Sequence, residues 1–185
     1  MKDKAIFLDR DGTINKEVNY LYRKDDFEFI PNAPKAIKLF HEIGYRVIVI
    51  TNQAGVARGF YREKDVEILH SYIDYLLDRE GTFIDAYYYC PHHPEGTVVE
   101  YSYICSCRKP EIGMIEEALK DYDIDLPNSI FIGDKEIDIE TGKCAGVGRC
   151  FLVRSGYIVD ESNTLADAVY NNIFEISNIL RRNQK

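Results

Sequence analysis

Lys4-Ala5-Ile6-Phe7-Leu8-Asp9-Arg10-Asp11-Gly12-Thr13 runs from a short apolar segment straight into two aspartates. Residues 4–9 have the length and composition of a strand covered on both faces. A carboxylate at the end of such a strand is costly unless a metal, a cation or backbone N–H groups meet it. Asp9 and Asp11 are two residues apart, so both can face one crevice, and Gly12 permits the turn that follows. For an isolated Asp-x-Asp, an Asx-turn closing a strand is the plainer explanation. What surrounds this stretch decides between the two.

Outward from it, the chain alternates short apolar runs with helical periods. Further strands are expected at 46–50, 83–89, 129–133 and 149–153, where β-branched and aromatic residues gather. Helices are expected at 33–43, with Asn32 and Pro34 at its start and Gly44 as its stop, and at 62–80, 111–122, 137–145 and 164–181. The 62–80 helix repeats apolar residues at Val66, Leu69, Tyr72, Ile73, Leu76 and Leu77. Pro110 is placed to open the helix over 111–122, with Ile112, Ile115, Ala118, Leu119 and Tyr122 on its inner face. Residues 10–30 read as an irregular excursion with a small hairpin. This order predicts an α/β fold: a mostly parallel, Rossmann-like sheet with helices on both faces. Such sheets bind ligands beyond the carboxyl ends of their strands. Asp9 and Asp11, Thr51 and Asn52, and Asp134 all fall there, so three strand ends converge on one crevice.

The 185 residues suit one domain, and 45% of them are apolar, enough for a true core. The formal charge is −8, a poor footprint for nucleic acid, so a phosphate ligand must be met by local cations or a metal. No window approaches the roughly 18 apolar residues of a membrane span. A soluble, cytoplasmic monomer with neither membrane nor nucleic-acid partner is the expectation.

Three of the five cysteines cluster with histidine. Cys90-Pro91-His92 is followed, across a polar loop, by Cys105-Ser106-Cys107. Three thiolates and an imidazole in paired spacing form a tetrahedral Zn²⁺ set. Zinc would pin the loop 90–107, which has no regular period of its own. Buried, unmetallated cysteines are the alternative, adopted here for Cys144 and Cys150. His93 is read as exposed.

Asp-x-Asp-Gly-Thr after a strand is the first motif of the haloacid dehalogenase superfamily of phosphohydrolases, and the resemblance continues along the chain. Ile50-Thr51-Asn52-Gln53 resembles the second motif, Arg108-Lys109-Pro110 the third, and Gly133-Asp134-Lys135-Glu136-Ile137-Asp138 the fourth. The resemblance implies that Asp9 is a nucleophile forming an aspartyl-phosphate. It makes Asp11 general acid and then general base, with its backbone carbonyl on Mg²⁺. Thr51 would hold a phosphoryl oxygen, and Lys109 would neutralise the transferring group. Asp134 would complete the Mg²⁺ ligands with Asp9 and Asp11. Asp138 and Lys135 would stand behind them, Asp138 orienting Lys109.

Cys-Pro-His-His-Pro-Glu-Gly and Cys-Ser-Cys-Arg-Lys-Pro narrow the likeness. They resemble the heptose-1,7-bisphosphate 7-phosphatases and the related histidinol-phosphate phosphatases. Both groups lack a large cap domain, and the spacings here leave no room for one. Substrate contacts are then expected from Glu17, Tyr20, Thr51, Asn52, Gln53, Arg108 and Lys109, with Arg108 on a second phosphate. The loop Glu17-Val18-Asn19-Tyr20 keeps the acid and the Tyr of the heptose enzymes and differs between them. Hydrolysis of the 7-phosphate of a heptose bisphosphate is the leading expectation and histidinol phosphate the alternative. A phosphate-binding protein without catalysis is a third reading.

Overall fold

The computed structural model describes residues 2–183. Among them, six strands form one parallel sheet: β1 (Lys4–Leu8), β2 (Tyr45–Asn52), β3 (Ala86–Cys90), β4 (Ile130–Gly133), β5 (Arg149–Val153) and β6 (Ala168–Tyr170). Their spatial order is β3-β2-β1-β4-β5-β6. Five helices pack around them: α1 (Ala33–Glu42), α2 (Glu63–Arg79), α3 (Gly113–Asp121), α4 (Glu136–Cys144) and α5 (Ile173–Arg182).

Alternate strand residues feed two cores. Ile6, Leu8, Val47, Val49, Ile130 and Ile132 meet α1, α2 and α5 on one face. Ala5, Phe7, Ile48, Ile50 and Phe131 meet α3 and α4 on the other. Because both faces are covered, these strands read as unbroken apolar runs rather than alternating ones. The strand order reverses at β1, which pairs with both β2 and β4. That switch point opens a crevice at the strand ends.

Several boundaries differ from expectation. The helix expected over 164–181 is instead β6 followed by α5. Asn172 separates them, its side chain accepting hydrogen bonds from the Phe174 and Glu175 N–H groups at 3.1 Å each. Pro110 does not open α3, which begins at Gly113. There the Gly113 N–H donates to the Ser106 carbonyl at 2.9 Å, and a Cβ would come within 2.5 Å of that oxygen. Leu119 is exposed rather than inward, and Tyr122 lies beyond the helix. Asn32 sits at the α1 N-cap in left-handed backbone, but its side chain caps nothing. Gly44, with φ +82°, turns the chain out of α1. The 10–30 excursion is tied by isolated bridges from Asn15 to Asp11 and Phe29, with a single 3₁₀ turn at Lys24–Asp26. No helix among the described residues is long and apolar enough to cross a membrane.

Candidate active site

Two strands and a helix deliver the acidic groups. Asp9 follows β1, Asp134 follows β4, and Asp138 lies in the first turn of α4. One carboxylate oxygen from each falls within 4.8 Å of the others, and all three residues are buried. Lys109 reaches this trio from the loop before α3. Its Nζ donates to Asp9 Oδ1 at 2.7 Å, to Asp138 Oδ1 at 2.5 Å and to the Ile50 carbonyl at 2.9 Å. Burial lowers the proton affinity of Lys109, but Asp138 and Asp9 outweigh it and hold the ammonium above its ordinary range.

One cation among three buried carboxylates leaves excess negative charge. Burial, with Asp138 and Asp11 nearby, pushes Asp9 up to about 6 despite Lys109. Burial and the neighbouring Asp9 and Asp138 push Asp134 up to about 8. The trio is unequal in its partners. Asp138 spends Oδ1 on Lys109 and Oδ2 on the Lys135 N–H at 3.1 Å. Both Asp134 oxygens are buried without a hydrogen-bond partner. An orphaned carboxylate costs several kcal/mol unless a cation meets it. Backbone crowds close to it: a Cβ on Gly12 or Gly156 would fall 2.1 or 1.9 Å from Asp134 Oδ2. The oxygen set suits a hard divalent ion such as Mg²⁺.

The Asp11 carboxylate points elsewhere. Its Oδ1 accepts from Asn15 Nδ2 at 2.9 Å and Arg10 Nε at 3.2 Å. Its Oδ2 accepts from Arg10 Nη2 at 2.9 Å and Gln53 Nε2 at 3.1 Å. Burial pushes this carboxyl up, but the Arg10 charge and the four hydrogen bonds outweigh it and hold it below the usual carboxylate range.

Thr51 is buried at the end of β2, its Oγ1 accepting from Gln53 Nε2 at 3.0 Å. The Asn52 side chain is spent on the chain itself. Its Nδ2 donates to the Lys109 carbonyl at 3.2 Å, and its Oδ1 accepts from the Lys109 N–H at 3.0 Å. Asn52 thereby locks the third motif onto the second.

A cleft of about 270 Å³ opens above these groups. Glu17, Asn19 and Tyr20 form part of its wall, the last two in left-handed backbone. Lys135 lines it too, its Nζ 3.5 Å from Glu17 and over the Tyr157 ring. Arg108, Arg58 and His93 line the cleft as well. Arg58 Nη2 lies 3.3 Å from His93 Nε2, and Arg58 Nε is buried with no hydrogen bond. His93 is thus a cleft residue and not simply exposed. Arg58, His93, Tyr61 and Tyr157 are cleft residues that motif reading did not single out. For Arg58 the signal was its place in the glycine-containing loop after β2.

The loop 90–107 brings its four chemistry-bearing residues together. Cys107 Sγ lies 3.0 Å from Cys90 Sγ and 3.2 Å from both Cys105 Sγ and His92 Nδ1. The hydrogen bond with Cys90 pulls the Cys107 thiol down to about 5, while its counterpart pushes Cys90 up. Tyr103 Oη lies 2.6 Å from the other ring nitrogen of His92. Three sulfurs and one imidazole converging this way, with the far nitrogen held, match the donor set of Zn²⁺. Cys144 and Cys150 lie outside this cluster; Cys150 is buried as expected, but Cys144, the last residue of α4, is exposed. Arg108 directly follows Cys107 and donates to the His92 carbonyl at 3.1 Å.

Fold and site together define a phosphohydrolase of the haloacid dehalogenase type. Comparison with known proteins narrows this. Residues 4–144 match the sequence model of the polynucleotide kinase 3 phosphatase family. The chain is 47% identical over 179 residues to the D-glycero-alpha-D-manno-heptose-1,7-bisphosphate 7-phosphatase of Photorhabdus laumondii, covering 97% of each. It is 43% identical to the beta-type enzyme of Haemophilus ducreyi, covering 95% of this chain and 97% of that one. Among solved structures, the D,D-heptose 1,7-bisphosphate phosphatase from B. bronchiseptica, complexed with magnesium and phosphate, superposes with a TM-score of 0.79. That pair is 26% identical, covering 97% of this chain and 99% of the other. The chain belongs to the polynucleotide kinase 3 phosphatase family, and within it to the D-glycero-D-manno-heptose-1,7-bisphosphate 7-phosphatases, which are phosphoric monoester hydrolases.

Proposed function

We propose that this chain hydrolyses the 7-phosphate of D-glycero-D-manno-heptose 1,7-bisphosphate through an aspartyl-phosphate on Asp9. The observation that carries the reading is Asp9 set between the Lys109 ammonium and the unpartnered Asp134 carboxylate at the floor of the cleft. An Asp9 oxygen attacks phosphorus as the bond to the sugar oxygen breaks, and Asp11 gives that oxygen a proton. A water then attacks the phosphorus and passes its proton to Asp11. The Asp9–phosphorus bond breaks, and inorganic phosphate leaves. Asp11 ionised among its four donors is the state that receives the water's proton.

Asp9, Asp134 and the backbone carbonyl of Asp11 would hold Mg²⁺. Bound there, the ion supplies positive charge against the phosphoryl oxygens and the clustered carboxylates. Lys109 stabilises the charge that develops on the transferring group, and Thr51 bonds one of its oxygens. Asp138 and Lys135 support this arrangement, Asp138 by holding Lys109. Cys90, His92, Cys105 and Cys107 would hold a structural Zn²⁺, because four protein ligands leave no open position. Arg108, with Arg58 beside the same wall, binds the second phosphate. Glu17, Tyr20, Asn52 and Gln53 border the sugar. The reading is of a single domain acting in the cytoplasm as a monomer on a small phosphorylated sugar.

A phosphate-release assay with Mg²⁺ tests it, using both anomers of heptose 1,7-bisphosphate, histidinol phosphate and fructose 1,6-bisphosphate. Preferred turnover of one heptose anomer is expected. Preferred turnover of histidinol phosphate would move the substrate to the related group, and no turnover of any ester would end the enzymatic reading.

A further inference from the structure

Arg10 is wholly buried, and a charged guanidinium is tolerated there only if its donors are met. It meets them on four segments. Nε and Nη2 grip Asp11 in a fork. Nη2 also reaches the Leu21 carbonyl at 3.1 Å and Gln53 Oε1 at 3.2 Å. Nη1 turns the other way, to His70 Nε2 at 3.2 Å. His70 lies on the inner face of α2, its ring stacked on Tyr87 at 4.3 Å between centroids.

An arginine in a protein does not lose its proton, so His70 Nε2 must be the acceptor. The imidazole is therefore neutral. Burial, with Arg10 alongside, pushes its proton affinity down to about 3, which agrees. A histidine on the inner face of a helix is more often plain core. This one spends its accepting nitrogen on the guanidinium that grips Asp11.

We propose that Arg10 and His70 are positioning residues for Asp11: His70 fixes the guanidinium, and the guanidinium fork fixes the plane and aim of the carboxylate. The proposal rests on the acid–base role of Asp11 given above. A fork of two parallel N–H bonds sets orientation, whereas a single ammonium sets only distance. Without the Nε2 acceptor, Nη1 loses its partner, and beyond Asp11 the guanidinium is anchored only through Nη2, on Leu21 and Gln53. Catalytic efficiency falls steeply when a reacting group is displaced by even an ångström.

The test separates esters by leaving group and reads the single-turnover rate of phosphoenzyme formation, because Asp11 also serves as base in the hydrolysis step that both esters share. The sugar alkoxide needs a proton as it departs; p-nitrophenolate leaves without one. His70→Phe keeps a ring against Tyr87 and removes the acceptor, and His70→Gln restores an acceptor. His70→Phe should lower the rate of phosphoenzyme formation from heptose bisphosphate about 10-fold while leaving that from p-nitrophenyl phosphate within about 2-fold, and should slow hydrolysis of the phosphoenzyme alike for both. His70→Gln should recover most of the loss. Arg10→Lys, which keeps charge without the fork, should show the same split and guards against a His70→Phe protein that fails to fold. Equal losses in formation rate on the two esters, or no loss on either, would overturn the proposal. Asp11→Asn is the control and should show a larger split of the same kind. If it does and the His70 and Arg10 variants do not, the positioning role fails alone. If Asp11→Asn slows phosphoenzyme formation from both esters equally, the general-acid reading fails and takes this proposal with it.

Discussion

Asp138 Oδ1 lies 2.5 Å from Lys109 Nζ and turns the ammonium toward Asp9. Asp138 also accepts the Lys135 N–H at the start of α4, so one side chain both orients the cation and caps the helix. Asp138→Ala should therefore lower kcat about 10-fold by misplacing Lys109 and cost about 1 kcal/mol of stability through the lost cap. Lys109→Ala should lower kcat further, by about 10²–10³-fold, since it removes the charge itself. Steady-state kinetics and thermal melts on both proteins check the order. A Lys109→Ala enzyme more active than Asp138→Ala would contradict it.

The nucleophile and the acid–base group should separate on quenching. Asp9→Asn, checked for deamidation, should show no turnover and no covalent phosphate. Asp11→Asn should be slowed about 10²–10⁴-fold while still able to form the phosphoenzyme. Rapid-quench mass spectrometry reads the difference. Phosphate found on a residue other than Asp9 would rule out the mechanism.

Arg108→Ala should raise KM for a bisphosphate by about 10-fold and leave a monophosphate nearly unchanged, because a guanidinium facing a phosphate is worth about 1.5–3 kcal/mol. Equal effects on both esters would remove Arg108 from the second-phosphate position.

Two metals should be separable by chelation. Brief removal of Mg²⁺ is expected to stop turnover reversibly and leave the melt cooperative. Cys107→Ser should instead release zinc, lower the thermal midpoint and reduce activity, because Arg108 and Lys109 directly follow the last ligand. Elemental analysis of metal-replete protein should give one zinc per chain, and a Cys107→Ser protein with full zinc content would sink the assignment.

Acid sensitivity should map in part to Asp85, remote from the cleft. Burial raises its carboxyl, but hydrogen bonds from His41 and the Val47 N–H, with Arg46 nearby, outweigh this and hold it below the usual value of 3.8. A depressed folded pKa stabilises the protein above the unfolded value, and this stability is lost as the pH falls through the folded one. Asp85→Asn should cost about 1–3 kcal/mol at pH 7, and the difference from the parent should shrink below about pH 4. Denaturant melts from pH 7 to pH 3 measure it, and a gap that stays constant would contradict the assignment.

The strand ends were legible because burial on both faces writes a strand as an apolar run, and a carboxylate after such a run has few innocent explanations. Asp9, Thr51 and Asp134 come from three such ends. The loop ligands were legible because Cys and His pair at short spacing. What the pattern hid was context. Ala168-Val169-Tyr170 is too short for a period to distinguish strand from helix, and its partner β5 supplies the preference. The start of α3 is set by the Ser106 backbone, which no local propensity encodes. Arg58 and His70 carry no motif, and Arg10 fills the variable place between Asp9 and Asp11. The contacts of Arg58 with His93 and of His70 with Arg10 join residues far apart along the chain.

That distance has a kinetic meaning. Lys109 meets Asp9 across 100 residues of chain and Asp138 across 29. No single hairpin or helix pair contains the catalytic centre, so it forms with the sheet as a whole, through the slow, non-local contacts of folding. Activity therefore counts folded molecules: a destabilising change in a remote core should reduce the active fraction while the survivors keep their Michaelis constant.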